Sequence, residues 1–266
     1  MRALLRLTGC AVAALSVAAI CPRAAHAAWT QGQFMFDGKP VIEHHCTPDG
    51  RGPDPAVIFL HGAGPRGSAD ATMEDVCEKL AAAGYYAEYI EYYSQTEDVT
   101  PGEPGKIRQY FPVWMDEIGA GLDAMEQNPR IDPKRIGMMG YSLGAFLSLA
   151  IGTTEPGKVS AIVEYYGALP TAMQPMAANL PPTLILHGDA DQIVPVARAH
   201  ELDSLMTEAK RPHEMRIYPG ANHAFNFPIP LWYNAADTHD AWDRALAFFA
   251  QYLAGKPGAN TQASAQ

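Results

Sequence analysis

Short, largely apolar runs recur along this chain, with helical stretches between them. Ala56-Val57-Ile58-Phe59-Leu60 is one such run, and residues 85–90, 136–139, 161–165 and 183–186 are others, with a weaker one at 215–218. Near-continuous apolar runs of this length suit the strands of a parallel sheet covered on both faces. Helical spacing occupies residues 72–83, ending at Gly84, then 113–127, 143–151, 196–209 just after Pro195, and 241–253. Glycine just past a helix end and proline at its start are the residues that backbone geometry favours there. Trp242, Ala245, Phe248, Phe249 and Tyr252 recur at the period of a helix face, which marks them as core. The alternation predicts an α/β fold with a mostly parallel central sheet and helices on both faces. With no internal repeat or linker, residues 28–254 read as one domain, and residues 255–266, small and polar, as a disordered tail.

The first 27 residues read as a signal peptide rather than as part of the fold. Arg2 and Arg6 precede an apolar stretch at 7–20, Pro22 breaks it, and Ala25-His26-Ala27 is a small-x-small cleavage site. An uncleaved anchor is the other reading of this stretch, but it is short for a membrane span and soon interrupted. Leu7-Thr8-Gly9-Cys10 looks like a lipidation site, but its apolar run follows Cys10 instead of preceding it. The expectation is a periplasmic or secreted protein, without stable membrane insertion, that starts at Ala28. Removing the leader takes away Arg2, Arg6 and Arg23 and no acidic residue, so the net charge moves from −10 to −13. That charge argues against nucleic acid as a partner, because a polyanion needs a basic footprint. Cys46 and Cys77 remain, and in an oxidising compartment they form one disulfide or stay as two buried thiols.

In sheets of this kind ligands bind beyond the carboxyl ends of the strands. After Ile136-Gly137-Met138-Met139 comes Gly140-Tyr141-Ser142-Leu143-Gly144 and then a helix. This is G-x-S-x-G in a strand–turn–helix context, where the turn is too tight for side chains at the two glycines. It lifts Ser142 above the sheet at a helix N-terminus, where free N–H groups favour developing negative charge. A serine hydroxyl needs a base and an orienting carboxylate, which in this fold follow in the order acid, then histidine. His187-Gly188-Asp189-Ala190-Asp191 follows one strand. Of its two acids Asp191 is favoured as further into the loop, with Asp189 as a turn residue. His223 follows the last strand, in Pro219-Gly220-Ala221-Asn222-His223, where such a histidine belongs. His187 ends a strand and reads as packing beneath the site, while His200, His213 and His239 read as surface. His44 and His45 beside Cys46 suggest a metal, but neighbouring strand residues face opposite ways, so no shared site is expected.

After residues 56–60 comes His61-Gly62-Ala63-Gly64-Pro65. Acyl transfer needs two backbone N–H groups for an oxyanion. One comes from the residue after the nucleophile, Leu143, and the other from this loop, assigned to Ala63 with Gly64 next in line. Gly62-x-Gly64-x-x-Gly67 also matches a dinucleotide fingerprint, with Glu88 and Glu91 downstream. Pro65 interrupts that loop and the helix starts beyond it, so no nucleotide cofactor is expected.

Together these motifs resemble the dienelactone hydrolase family of α/β-hydrolases, over about residues 40–253. The carriers are residues 135–144, Tyr165-Tyr166-Gly167, His187-Gly188-Asp189-Ala190-Asp191 with Val194-Pro195, His223-Ala224-Phe225, and Ala241-Trp242 with Phe248-Phe249. The resemblance implies an α/β-hydrolase fold, a monomer, no cofactor, and Asp191 and His223 as partners of Ser142. The chain departs from the family at two places. The family's named enzyme has a cysteine where this chain has Ser142, and an arginine that holds a substrate carboxylate where this chain has Phe227. Phe227 with Pro228, Ile229, Leu231, Trp232 and Tyr233 reads as core or loop packing first, and otherwise as an apolar wall rather than a carboxylate clamp. The expectation is a serine hydrolase that cleaves carboxylic esters or lactones, small molecules, through an acyl-enzyme on Ser142. The alternatives are a thioesterase or peptidase with the same groups, or a binding protein that has kept the fold.

Overall fold

The computed structural model describes residues 28–254. The leader and the tail expected from the sequence both lie outside the described residues. In chain order the strands are β1 (Thr30–Phe36), β2 (Lys39–Cys46), β3 (Asp54–Leu60), β4 (Tyr86–Ile90), β5 (Ile131–Tyr141), β6 (Ala161–Tyr165), β7 (Thr183–Gly188) and β8 (His213–Tyr218). The helices are α1 (Asp70–Ala82), α2 (Pro104–Gln127), α3 (Leu143–Thr154), α4 (Ala197–Glu208) and α5 (Ala235–Leu253), with a 3₁₀ helix at Thr171–Asn179. The strands form one sheet in the order β1-β2-β4-β3-β5-β6-β7-β8. Pairing is antiparallel from β1 through β2 to β4 and parallel from β4 onward. This is an eight-stranded α/β-hydrolase sheet.

Side-chain alternation divides the core between the two faces. Ile58, Met138, Ile162 and Ile185 pack with Trp114 and Leu122 of α2, Leu147 of α3 and Leu202 of α4. Val57, Met139, Val163 and Leu184 pack with Met73 and Leu80 of α1 and with Ala245 and Phe249 of α5. The stripe in α5 is therefore core, as its spacing indicates. Strands β3, β4, β6 and β7, and β5 from Ile136 to Tyr141, are buried along nearly all of that length, which is why they read as near-continuous apolar runs.

Among the places where the structure extends the sequence reading, three have a clear physical cause. Strands β1 and β2 carry no apolar run, because they form an antiparallel edge with one face partly in solvent, and β1 alternates between exposed and half-buried positions. Their signal is Asp37-Gly38 between them, with φ of 47° and 72°, a two-residue turn of the kind that closes hairpins. Helix α2 begins at Pro104, well before residue 113, and carries Pro112 within it. Proline 112 removes one backbone hydrogen bond and thus resembles a helix start in sequence, while buried Trp114 and Ile118 hold the segment on the sheet. Cys46 of β2 and Cys77 of α1 are joined by a disulfide with a Cα–Cα distance of 5.6 Å.

That bond closes a loop across a sequence separation of 31 residues. In the chain-entropy description a crosslink of this span stabilises the fold by about 3–4 kcal/mol. Replacing both cysteines with serine should lower the urea-unfolding free energy by that order, with the circular dichroism spectrum of the native state retained.

Candidate active site

The turn between β5 and α3 sets the geometry. Gly140 lies against the first turn of α3, where an added Cβ would meet the Gly144 carbonyl oxygen at 2.3 Å. Gly144 lies against the end of β3, where a Cβ would meet the backbone oxygens of Leu60 at 2.4 Å and His61 at 2.6 Å. Any side chain at either position would push strand and helix apart. Between them Ser142 adopts φ 52° and ψ −116°, a conformation that costs a non-glycine residue about 1–3 kcal/mol. The Ser142 N–H is anchored on the Tyr165 carbonyl at 3.0 Å, so the strained residue is fixed to β6.

The structure brings Ser142, His223 and Asp191 together. Ser142 Oγ lies 2.9 Å from His223 Nε2, and His223 Nδ1 lies 2.8 Å from Asp191 Oδ2. An ionised carboxylate can only accept, so Nδ1 carries the proton and donates it to Asp191. Nε2 is then the acceptor for the Ser142 hydroxyl. Asp191 is enclosed, its side chain fully buried, and it collects four N–H groups. Its Oδ1 accepts from the backbone of Ile193 and Val194, each at 2.8 Å, and its Oδ2 accepts from His223 and from His187 Nε2 at 3.3 Å. Burial works against the charge, but the hydrogen bonds from His187, His223 and Val194 outweigh it and hold the carboxyl well below the usual carboxylate range. Asp189 instead accepts the Gly220 N–H at 2.6 Å, pinning the loop that carries His223.

The loop at residues 61–64 passes beside Ser142. An added Cβ on Gly62 would stand 3.2 Å from Ser142 Cβ, and Ala63 lines the cavity above the serine. Leu143 is the first residue of α3, where a helix leaves its N–H without an internal partner. His61 is stacked on Tyr92, ring centroids 4.2 Å apart, and its Nδ1 lies 2.7 Å from the Gly62 carbonyl oxygen, to which it donates. Burial pushes the His61 imidazole down to about 4, so it is neutral at pH 7 and serves to hold the loop. The loop's glycine pattern faces the serine, and α1 begins only at Asp70, beyond Gly67.

The cavity has a volume of about 400 Å³. Tyr141, Tyr166, Phe227, Ile229 and Trp232 supply apolar wall, and Phe227 packs edge-on to Tyr141 at 5.2 Å. Arg66 also borders it, but its guanidinium is engaged by Asp98 and by the carbonyls of Tyr93 and Thr96. Tyr93 lines the cavity, whereas Tyr92 and Trp114 are core and Arg108 is exposed on the surface. His44 is stacked on Trp29 and paired with Glu91, and His45 is stacked on Tyr86 and paired with Glu43, so the two point to different neighbours. Among the described residues no cluster of three or more His, Cys, Asp or Glu has metal-site geometry.

Two residues near this site carry no role from sequence, and a third, His187, does more than the packing expected of it. Tyr166 sits at φ 44° after β6, with its ring 4.7 Å from that of His223 and its hydroxyl donating to Asn226 at 2.7 Å. Its position just past a strand end was the available signal. His187, expected only to pack, bonds Asp191 as described, and Glu164 lies buried on the adjacent strand. An acid inside an apolar run is the mark that could have singled out Glu164.

The sequence model described as the dienelactone hydrolase family matches residues 43–253. A protein of Aquifex aeolicus named "Putative carboxymethylenebutenolidase" is 25% identical over 228 residues, covering 83% of this chain and 97% of that protein. One of the same name in Methylorubrum extorquens is 28% identical over 236 residues, covering 82% and 79%. Among solved structures, a dienelactone hydrolase-like promiscuous phosphotriesterase from metagenomic libraries superposes with a TM-score of 0.75 at 20% identity, covering 86% of this chain and 99% of that one. At that identity the likeness is one of fold.

The close approach at Gly144 is directly testable. Gly144→Ala forces a methyl group against two backbone oxygens, which should destabilise the fold by about 1–3 kcal/mol or more, read as a lower thermal midpoint.

Proposed function

The chain belongs to the dienelactone hydrolase family, and from that membership we propose that it is a serine hydrolase of neutral carboxylic esters and lactones. The family and the names of its relatives support hydrolysis of lactone or ester bonds. The observation that carries the finer reading is the continuous chain of hydrogen bonds from Ser142 through His223 to Asp191 at the floor of an apolar cavity.

In this reading Ser142 Oγ attacks the substrate carbonyl while His223 Nε2 takes the hydroxyl proton. Asp191 keeps the imidazole in the required tautomer and stabilises the imidazolium. The N–H groups of Leu143 and Ala63 receive the oxyanion. His223 then returns the proton to the leaving alcohol oxygen. A water molecule, deprotonated by the same histidine, attacks the acyl-enzyme, and the acid departs as Ser142 regains its proton. A thioester would enter the same sequence. Within this assignment Ser142→Ala should lower kcat/KM for a short neutral ester by several orders of magnitude, and a fluorophosphonate probe should label Ser142. Absence of labelling in folded protein would sink the assignment.

Neutrality of the substrate rests on Phe227 and Arg66. Phe227 stands where the family's named enzyme places a carboxylate-holding arginine, and Arg66 is committed to Asp98 and two carbonyls. A carboxylate in this cavity would lose its hydration, and among the described residues no free cation lines the cavity to replace it. Introducing Phe227→Arg should shift relative kcat/KM toward carboxylate-bearing lactones by about tenfold or more, since a charge-assisted hydrogen bond is worth about 1.5–3 kcal/mol. The disulfide supports the reading of residues 1–27 as an export leader, because such bonds persist in oxidising compartments. Edman sequencing of the exported protein should then begin at Ala28.

A further inference from the structure

Beside Asp191, and outside the lining of the cavity, lie two buried ionisable groups that the reaction above does not use. His187 ends β7 and Glu164 lies on β6, and the side chains of both are shielded from solvent. Glu164 is opposite Ile185 in the parallel register, two positions before His187, so both face the same side of the sheet. His187 Nε2 lies 2.8 Å from the Val194 carbonyl oxygen and 3.3 Å from Asp191 Oδ2. Both neighbours accept, so Nε2 carries a proton. Glu164 Oε2 accepts the Gly167 N–H at 2.7 Å, just before Gly167 leads away from Tyr166. His187 Nδ1 and Glu164 Oε1 have no hydrogen-bond partner among the described residues. Buried polar atoms without partners are uncommon, and here there are two on neighbouring strands.

We propose that Glu164 and His187 form a buried couple that holds one proton beside Asp191, and that His187 is a positioning residue which fixes Asp191 for His223. The proposal rests on the assignment of Ser142, His223 and Asp191 to the reaction. With its proton the couple is neutral as a pair, either as glutamic acid and imidazole or as glutamate and imidazolium. Without it the couple carries one negative charge close to Asp191. That charge adds to the negative field that Asp191 sets at His223, so the couple tunes how readily His223 takes and returns the serine proton. The direction of each titration agrees. Burial pushes the Glu164 carboxyl up to about 7, against the opposing pull of His187 and the Gly167 N–H, and nearby Asp191 adds to the rise. Burial lowers His187, but its hydrogen bond to Asp191 and the charge of Glu164 raise it overall. The elements packed around the couple add no free charge. Helix α3 carries no ionisable side chain, and Arg198 of α4 is paired with Glu201 and donates to the Leu169 carbonyl.

The test compares wild type with Glu164→Gln, a near-isostere that keeps an acceptor for Gly167 but cannot ionise. With p-nitrophenyl acetate between about pH 5 and about pH 9, wild-type kcat/KM should show two ionisations and the variant one, its acid limb moved down by up to about one unit. Stability supplies a readout independent of turnover. Glu164 holds its proton to about 7 when folded against 4.5 ordinarily, so its contribution is complete below pH 4.5 and is lost as pH rises through 7. The variant should flatten that fall. Isotope-edited spectra of wild type follow the His187 ring and the Glu164 carboxyl directly, whether or not the variant folds. Uptake of a proton by either group near neutrality supports the proposal. If neither group gains a proton across that range, or the variant leaves both the pH profile and the His187 resonances unmoved, the proposal is overturned. An inert Ser142 would defeat the proposed function and would leave these spectra as readable as before.

Discussion

Two bare backbones in contact at the β5–α3 turn govern the rest of the site. Gly140 meets the first turn of α3 and Gly144 meets the end of β3, both at distances that no side chain allows. This contact brings the N-terminus of α3 to the middle of the sheet, between β3 and β6. The strain at Ser142 is local, of order 1–3 kcal/mol, while the core that enforces it runs through both faces of the sheet. The rigid part of the molecule thereby determines where one hydroxyl points. The loops after β3, β7 and β8 are brought to the same place because parallel strands all end on one edge.

Asp191 is the electrostatic counterpart of that turn. A buried carboxylate is costly unless every lone pair is met, and here four N–H groups meet it. Two come from its own loop and make it rigid, and two come from histidines that share its Oδ2. Asp189, two residues earlier, serves the backbone of the neighbouring loop, so one short segment both aims the acid and restrains the strand end that presents His223. The Cys46–Cys77 bond has a similar restraining effect at the other side, tying α1, and through it the loop beside Ser142, to the antiparallel edge.

Much of this was legible before any coordinates. Strands β3, β4, β6 and β7 and the second half of β5 are buried on both faces, so their apolar runs show in the sequence. The edge hairpin was not, because half-exposed strands carry mixed residues and only Asp37-Gly38 marked the turn. The early part of α2 was hidden by Pro112, whose local preference the packing of Trp114 and Ile118 overrides. Among the candidate site residues, Ser142, Asp191, His223, Leu143 and Ala63 stood at strand ends beside recognisable turn residues. Tyr166, Glu164 and His187 did not stand out, since their roles depend on which strands become neighbours.

The sequence by itself determined the fold class, the serine turn and the order of its candidate partners, because periodicity and glycine placement are local properties of the chain. Tertiary structure set the favoured Asp191 against His223, and it alone decided that Arg66 is occupied by Asp98, that the two cysteines meet, and that a glutamate and a second histidine lie beside Asp191. Each of these is a distance between residues far apart in the chain or a choice between neighbours within one turn. Such distances are fixed only when strands pair in register and helices press them into a common core.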